Sequence, residues 1–347
     1  MSRTLPEIAG IKAFDHEGLV ELANELDIPK YKVDQLETWI YQKHVSSYDE
    51  MTNLSKAHRA LLAEQYPLHV AKVAQKFVSN DGTRKYLVEY NDGTLVETVG
   101  IPSANRLTVC FSTQAGCQMG CAFCATGKGG FKRNLAPGEI YDQIAIVASD
   151  FNRKVTNAVG MGQGEPFLNY DSVIGAVRFM NSKNGANIGA RHITISTCGI
   201  VPSISKFSKE PEQFTLAISL HSAVQNTRNK LMPNVTNYNL ERLRSSIKSY
   251  SDATGRRPTF EFTMINGVND TDAELEALVD FCHGMLCHVN LISLNRISGS
   301  GYQPSKKLRV KHFEDYLNAH GIEASIRNSR GSDIAGACGQ LSQNHAQ

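Results

Sequence analysis

Four of the chain's eight cysteines fall between positions 110 and 124: Cys110, Cys117, Cys121 and Cys124. The last three follow a Cys-x3-Cys-x2-Cys spacing that puts three thiolates on one short loop. A [4Fe–4S] cluster takes four ligands, normally four cysteines. Three leave one iron open, which is what S-adenosylmethionine requires if its amino and carboxylate groups are to chelate the metal. The competing reading is a zinc site of three or four thiolates, with Cys110 as the fourth. Phe123, beside the last thiolate, is placed to pack on a bound adenine. The turn Gly160-Met161-Gly162-Gln163-Gly164-Glu165-Pro166 adds glycines that let the backbone approach a ligand closely, and a carboxylate to accept from its ammonium group.

These residues need a frame. Hydrophobic patterning predicts strands at 106–112, 155–161, 192–196, 214–220, 259–265 and 288–293. Helical patterns at 137–149, 170–182, 239–253, 271–283 and 307–320 separate them. Repeated βα units predict an α/β fold with a parallel sheet, open or curled into a partial (β/α)6 barrel. Such barrels place their chemistry at the carboxyl ends of the strands. Cys117 to Cys124 follow the first strand, Gly164 and Glu165 the second, and Ser196 closes the third. Ser219 and His221 end the fourth, and Asn295 follows the sixth. Singly, a strand-end Ser or Asn is a turn residue and a lone His a satisfied side chain; together they point to one site. Up to about residue 75 the chain reads as helical, from Leu19, Leu22, Ala23 and Leu26, and from Leu36, Trp39 and Ile40. Residues 85–99 read as a hairpin turning at Asn91-Asp92-Gly93.

No stretch approaches the roughly 18 apolar residues of a membrane span, and the first residues lack the apolar core of a signal peptide. A cytoplasmic address and no membrane partner are expected, and in that setting clustered cysteines indicate metal or redox chemistry rather than a disulfide framework. The first hundred residues carry 11 Lys/Arg against 15 Asp/Glu and the rest 25 against 19, too weak an imbalance to indicate nucleic acid by itself. Lys306, Lys307, Arg309 and Lys311 read as a solvated helix face, and Trp39 as a core position rather than a platform for RNA. Cys198, Cys282 and Cys287 read as buried small hydrophobes.

GCQMGCAFCATGKGGFKRNL (116–135), ISTCGIVPSI (195–204), AISLHSA (217–223), KLMP (230–233), GVND (267–270) and ACGQL (337–341) resemble the RlmN/Cfr family of RNA adenine methyltransferases, within the radical S-adenosylmethionine superfamily. WIYQKHVSSYDEMTNLSKAHRALLAE (39–64) resembles that family's accessory domain. The resemblance implies a helical RNA-binding accessory domain over 1–75 and a β-hairpin linker over 76–105 packing on the barrel. A barrel with a catalytic C-terminal loop over 106–341 and a tail at 342–347 complete the organisation. It implies a [4Fe–4S] cluster on Cys117, Cys121 and Cys124, and S-adenosylmethionine contacts from Gly164, Glu165, Ser196, Ser219, Leu220, His221 and Asn295.

An adenine C2 or C8 carbon is not nucleophilic, so direct methyl transfer from a sulfonium does not reach it. The resemblance implies instead that Cys338 is methylated first and that a 5′-deoxyadenosyl radical takes hydrogen from the S-methyl group. The carbon radical then adds to the base. Cys110 resolves the protein–RNA adduct through a transient Cys110–Cys338 disulfide, and Glu97 is the implied proton acceptor. Implied partners are 23S rRNA at the peptidyl-transferase region, tRNA at the adenine beside the anticodon, and an electron donor such as a flavodoxin or ferredoxin; a monomer is expected. The chain departs from the family at Gln163, where a Met is usual, and at 330–337, which is less acidic. Pro166 and Arg330-Gly331 look more like the C2 branch than the C8 branch. Two other readings stay open: a radical enzyme acting on a small molecule or peptide, which would not need Cys110 and Cys338, and a non-catalytic RNA-binding module with a structural metal.

Overall fold

The computed structural model describes residues 10–342 except His44, His69 and Val70. Near the start, Asp15 caps helix His16–Glu25 by accepting from the Gly18 amide at 2.8 Å, and Leu19, Leu22 and Ala23 turn inward. Helix Val33–Glu37 runs on into a wider turn over Thr38–Gln42 that buries Ile40 and Tyr41. Trp39 packs against the core, donating its indole N–H to Asn53 Oδ1 at 2.7 Å with Lys43 over its ring. The helical part docks on the sheet-covering helices Pro137–Phe151 and Tyr170–Asn181. There the Tyr41 ring stacks on Phe179 and meets Tyr141 edge-on, both at 4.8 Å between centroids, and buried Lys12 pairs with Asp142.

The last helix of this part ends at Gln65, and strand β1 (Ala71–Val78) follows. The sheet therefore begins ahead of the residue-75 boundary drawn from sequence. β2 (Arg84–Tyr90) and β3 (Leu95–Pro102) form the expected hairpin, with Gly93 at φ +77° in its turn. β4 (Leu107–Cys110) opens the parallel part. β5 (Gln114–Gly116) and β6 (Phe131–Asn134) pair as a separate two-stranded ribbon. Then come β7 (Asn157–Gly160), β8 (Ile193–Thr197), β9 (Thr215–Ser219), β10 (Thr259–Met264), β11 (His288–Ser293) and β12 (Ala324–Arg327).

The main sheet runs β1-β2-β3-β4-β7-β8-β9-β10-β11-β12. Pairings up to β3–β4 are antiparallel, and those from β4–β7 to β11–β12 are parallel. All six strands read from sequence are present, and β12 adds a seventh to the open barrel. Ile195, Ile218, Phe262 and Leu291 are fully buried on these strands, as a sheet covered by helices demands. Lys307 to Lys311 open helix Lys307–Ala319, where Lys311 pairs with Glu314 and Asp315. Among the described residues, no helix is long and apolar enough to cross a membrane.

Candidate functional site

The ribbon of β5 and β6 pins both ends of the cysteine loop, with Cys117 N–H donating to Gly130 O at 2.8 Å. Helix Ala125–Lys128 folds back so tightly that a Cβ at Gly127 would lie 2.8 Å from the Cys121 amide nitrogen. Cys117 and Cys121 are buried and Cys124 half-buried. Burial pushes the Cys117 and Cys124 thiols above their ordinary range, and the neighbouring sulfurs add to it. Such thiols ionise beside a cation, so the donor set suits a cluster core. A tetrahedral zinc, with Zn–S of about 2.3 Å, needs sulfurs about 3.8 Å apart. Among the described residues no three cysteine sulfurs lie within 4.8 Å of one another, so the wider spacing favours the cluster.

The loop forms one wall of a cleft at the carboxyl ends of the parallel strands. Gly160, Gly162, Gly164, Glu165, Ser196, Ser219, His221 and Asn295 line it. The glycines after β7 have a reason that the sequence left hidden. A Cβ at Gly162 would sit 2.7 Å from the Phe111 carbonyl, and one at Gly164 (φ +103°) 2.6 Å from Gln114 Cβ. They let the turn lie against the chain leaving β4. Glu165 is buried, which raises its carboxyl, while Cys198 N–H (2.6 Å) and Phe167 N–H (3.0 Å) hold it in place. The hydroxyls of Ser196 and Ser219 meet at 3.4 Å. Leu220, expected as a contact, is fully buried and does not line the cleft; its N–H donates to Glu261 O at 3.1 Å and its carbonyl accepts from Arg228 at 2.8 Å.

His221, at φ +57°, accepts from Thr263 N–H on Nδ1 at 3.1 Å, so the neutral ring carries its proton on Nε2. Phe123 meets it edge-on at 4.7 Å. Burial, then the nearby Arg228 charge, depresses its pKa to about 3. A histidine whose folded pKa lies below its unfolded value contributes stability that is present above about pH 6.5 and is lost as pH falls toward 3. Urea unfolding is therefore expected to weaken by up to about 1.4 kcal/mol per pH unit between pH 6 and 4 from this group. His221→Gln should flatten that slope; an unchanged slope would show that other groups set it.

Across the cleft, Cys338 is exposed on the C-terminal loop. That loop is fastened to the cysteine loop by Ala125 N–H to Gly339 O (2.8 Å) and Thr126 Oγ1 to Leu341 O (2.7 Å). Asn295 Nδ2 donates to Cys338 O at 3.1 Å. Cys338 and Cys110, at the end of β4, line a second cavity together, with Arg327 at the end of β12 lining both spaces. Burial, with Cys338 adding to it, pushes the Cys110 thiol up to about 12, and Arg327 opposes the rise. Arg327, which itself pairs with Glu261 at 3.3 Å, also favours the thiolate of Cys338.

Glu97 is one pleat away on the same face of β3 as Val99, the register partner of Cys110. Its carboxylate is held by Lys85 Nζ (2.8 Å) and Ser342 N–H (2.7 Å), and it lines neither space. Gln163, the departure from the family pattern, is buried and donates Nε2 to Ser342 O at 3.0 Å, fastening the same segment. Arg330 faces Asp81, whose carboxylate also accepts from Gly331 N–H.

Sequence reasoning passed over Arg327 and Arg228 and read Cys198 as a buried small hydrophobe, whereas it lines the cleft. The first stands on a strand without a hydrophobic pattern. The other two meet the site only through tertiary packing.

A profile of the Radical SAM superfamily matches residues 111–282, and one of the ribosomal RNA large subunit methyltransferase N-terminal domain (RlmN_N) matches 10–67. The probable dual-specificity RNA methyltransferase RlmN of Clostridium novyi is 44% identical over 91% of this chain and 92% of its own. Its namesake from Thermotoga neapolitana is 43% identical over 94% and 95%. A crystal structure of a radical SAM methyltransferase from Sphaerobacter thermophilus superposes with a TM-score of 0.93 at 41% identity, covering 96% of this chain and 99% of that one. Membership of this group implies a [4Fe–4S] cluster and S-adenosylmethionine as cofactors. The chain belongs to the RlmN family of radical S-adenosylmethionine RNA methyltransferases.

Proposed function

We propose that this enzyme methylates C2 of an adenine in the peptidyl-transferase region of 23S rRNA and of the adenine 3′ to the anticodon in tRNA. The observation that carries the reading is the pair Cys110 and Cys338, remote in sequence and lining one cavity that adjoins the cleft. A methyltransferase acting on a nucleophilic atom has no need of two such thiols. The dual specificity for which the relatives are named supports action on two kinds of RNA.

Cys117, Cys121 and Cys124 would hold the cluster, while Gly164, Glu165, Ser196, Ser219, His221, Asn295 and the backbone at Leu220 would seat S-adenosylmethionine. When bound, the cluster supplies the low-potential electron, received from a carrier such as a flavodoxin or ferredoxin, that starts radical chemistry. Cys338, exposed on a loop fastened to both walls, carries the methyl group to the base. Arg327 favours the thiolate of either cysteine. Cys110 attacks the Cys338 sulfur to release the RNA, an S–S bond replacing the S–C bond as the freed methylene takes up a proton, and Glu97 or Cys110 itself serves as proton acceptor. The helical part, 10–65, would dock the RNA, since chemistry on a base edge needs a splayed nucleotide presented from a loop or bulge.

The test is nucleoside mass spectrometry of 23S rRNA and tRNA from cells with and without the gene. Loss of 2-methyladenosine from both is expected. An unchanged content in both, or loss of 8-methyladenosine instead, would overturn the assignment, and loss from rRNA alone would remove the dual specificity.

A further inference from the structure

We propose that Arg228 is the resident counter-charge of the iron–sulfur cluster and that, with the Cys198 thiol, it sets the cluster's reduction potential. The inference rests on the cluster being held by Cys117, Cys121 and Cys124.

Arg228 sits on helix Gln225–Leu231 and is only 1% exposed. Its guanidinium donates to the carbonyls of Leu220 (2.8 Å), Ser219 (3.2 Å) and Cys198 (2.6 Å) and touches Met232 Sδ at 3.0 Å. Nε has no partner. All of these partners are neutral, and among the described residues no carboxylate lies within ion-pair distance of it. A buried charge without a counter-charge is costly, and proteins seldom keep one without a use.

The anion that answers it is the cysteine loop. Burial pulls the guanidinium below its ordinary pKa, and the opposing groups are the Cys198 and Cys121 sulfurs. Cys198, whose carbonyl the guanidinium holds, lines the cleft together with Cys117, Cys121 and Cys124, and its thiol interacts electrostatically with that of Cys121. The arrangement is fixed, because Ala122 N–H in the cysteine loop donates to Leu231 O of the arginine's own helix at 2.9 Å.

Three thiolates around a [4Fe–4S]2+ core leave a net charge of about −1, and one added electron makes it about −2. A cation fixed in a poorly polarisable interior stabilises the second state more than the first, so it raises the potential. A neutral thiol beside the ligand sulfurs acts in the same direction when it donates to one of them, since hydrogen bonds to the sulfurs and net charge are among the levers on cluster potential. The step concerned is the one-electron reduction of the core by a low-potential carrier, with no bond made or broken. Arg228 and Cys198 are positioning residues in it.

The full chain would be reconstituted anaerobically as wild type, Arg228→Met, Arg228→Lys and Cys198→Ala. Iron and sulfide would be counted, and the midpoint potential read by mediated titration with EPR of the reduced cluster. Arg228→Met is expected to load its iron and to show at least a tenfold lower ratio of reduced to oxidised cluster at a fixed potential. That corresponds to a fall of about 59 mV for one electron. Arg228→Lys should stay near wild type, and Cys198→Ala should fall by less than Arg228→Met. A fully loaded Arg228→Met at the wild-type potential overturns the proposal. If Arg228→Met does not fold, Arg228→Lys decides: a potential near wild type supports a charge role, and a tenfold shift despite the retained charge refutes it. Wild-type protein that takes up no cluster would instead refute the underlying ligand assignment.

Discussion

Purified from cells, Cys110→Ala is expected to arrive as a covalent protein–RNA species, while Cys338→Ala arrives free of RNA. If Cys338 carries the methyl group, its loss removes both the methyl and the attachment point. Without Cys110, Cys338 is still methylated and still attacks the base, but nothing breaks the bond that results. The two thiols suit this division of labour. Cys338 is exposed at the mouth of the cleft, where a substrate reaches it. Cys110 is buried among Val99, Ile101, Val159, Met161 and Leu341, and burial holds its thiol at about 12, largely protonated near neutral pH. It therefore needs Arg327 or a proton acceptor such as Glu97 when it attacks. The bland alternative is that both changes only cost stability. Removing one buried sulfur costs on the order of 1 kcal/mol, which would not crosslink RNA. Denaturing gels and intact-protein mass spectrometry before and after ribonuclease separate the cases. A folded, cluster-loaded Cys110→Ala without nucleotide would remove its resolving role.

The six strands were legible because buried parallel strands are apolar on both faces and read as continuous runs. β1 and β12 were not, for the opposite reason. Both are edge strands: six of the eight residues of β1 are exposed, and β12 reads Ala-Ser-Ile-Arg, with nothing to mark it as sheet. The same contrast governs the site. Cys117, Cys121 and Cys124 announce themselves because three thiols in a Cys-x3-Cys-x2-Cys spacing lie within a few residues. Arg327 depends on an unmarked strand. Arg228 and Cys198 reach the cysteine loop from two other βα units, and only the folded sheet brings them there. The glycine turn was legible as close approach, yet the surface approached at Gly162 and Gly164 is the chain leaving β4.

Cys121→Ala should cause the largest loss of cofactor. Cys121 is the middle thiol of the loop, buried, with its backbone against Gly127 and with Cys198 lining the same cleft beside it. Two remaining ligands do not hold a cluster whose fourth iron already relies on an outside ligand. From about four irons per brown wild-type chain, the variant should fall severalfold and lose its visible absorption, and reductive cleavage of S-adenosylmethionine should become undetectable. Cys282→Ala is the matched control. Cys282 ends helix Asp272–Cys282 and Cys287 directly precedes β11, both away from the cleft, so this variant should keep its iron and its activity. One complication is built into the fold, and it sharpens the test. Cys198 stands beside the vacated place and offers a substitute sulfur, so any iron left in Cys121→Ala should disappear in the double variant Cys121→Ala/Cys198→Ala. Colourless wild-type protein holding one tight zinc after anaerobic reconstitution with iron and sulfide would sink the cluster assignment. Equal iron in Cys121→Ala and Cys282→Ala would show that the loop is not its ligand.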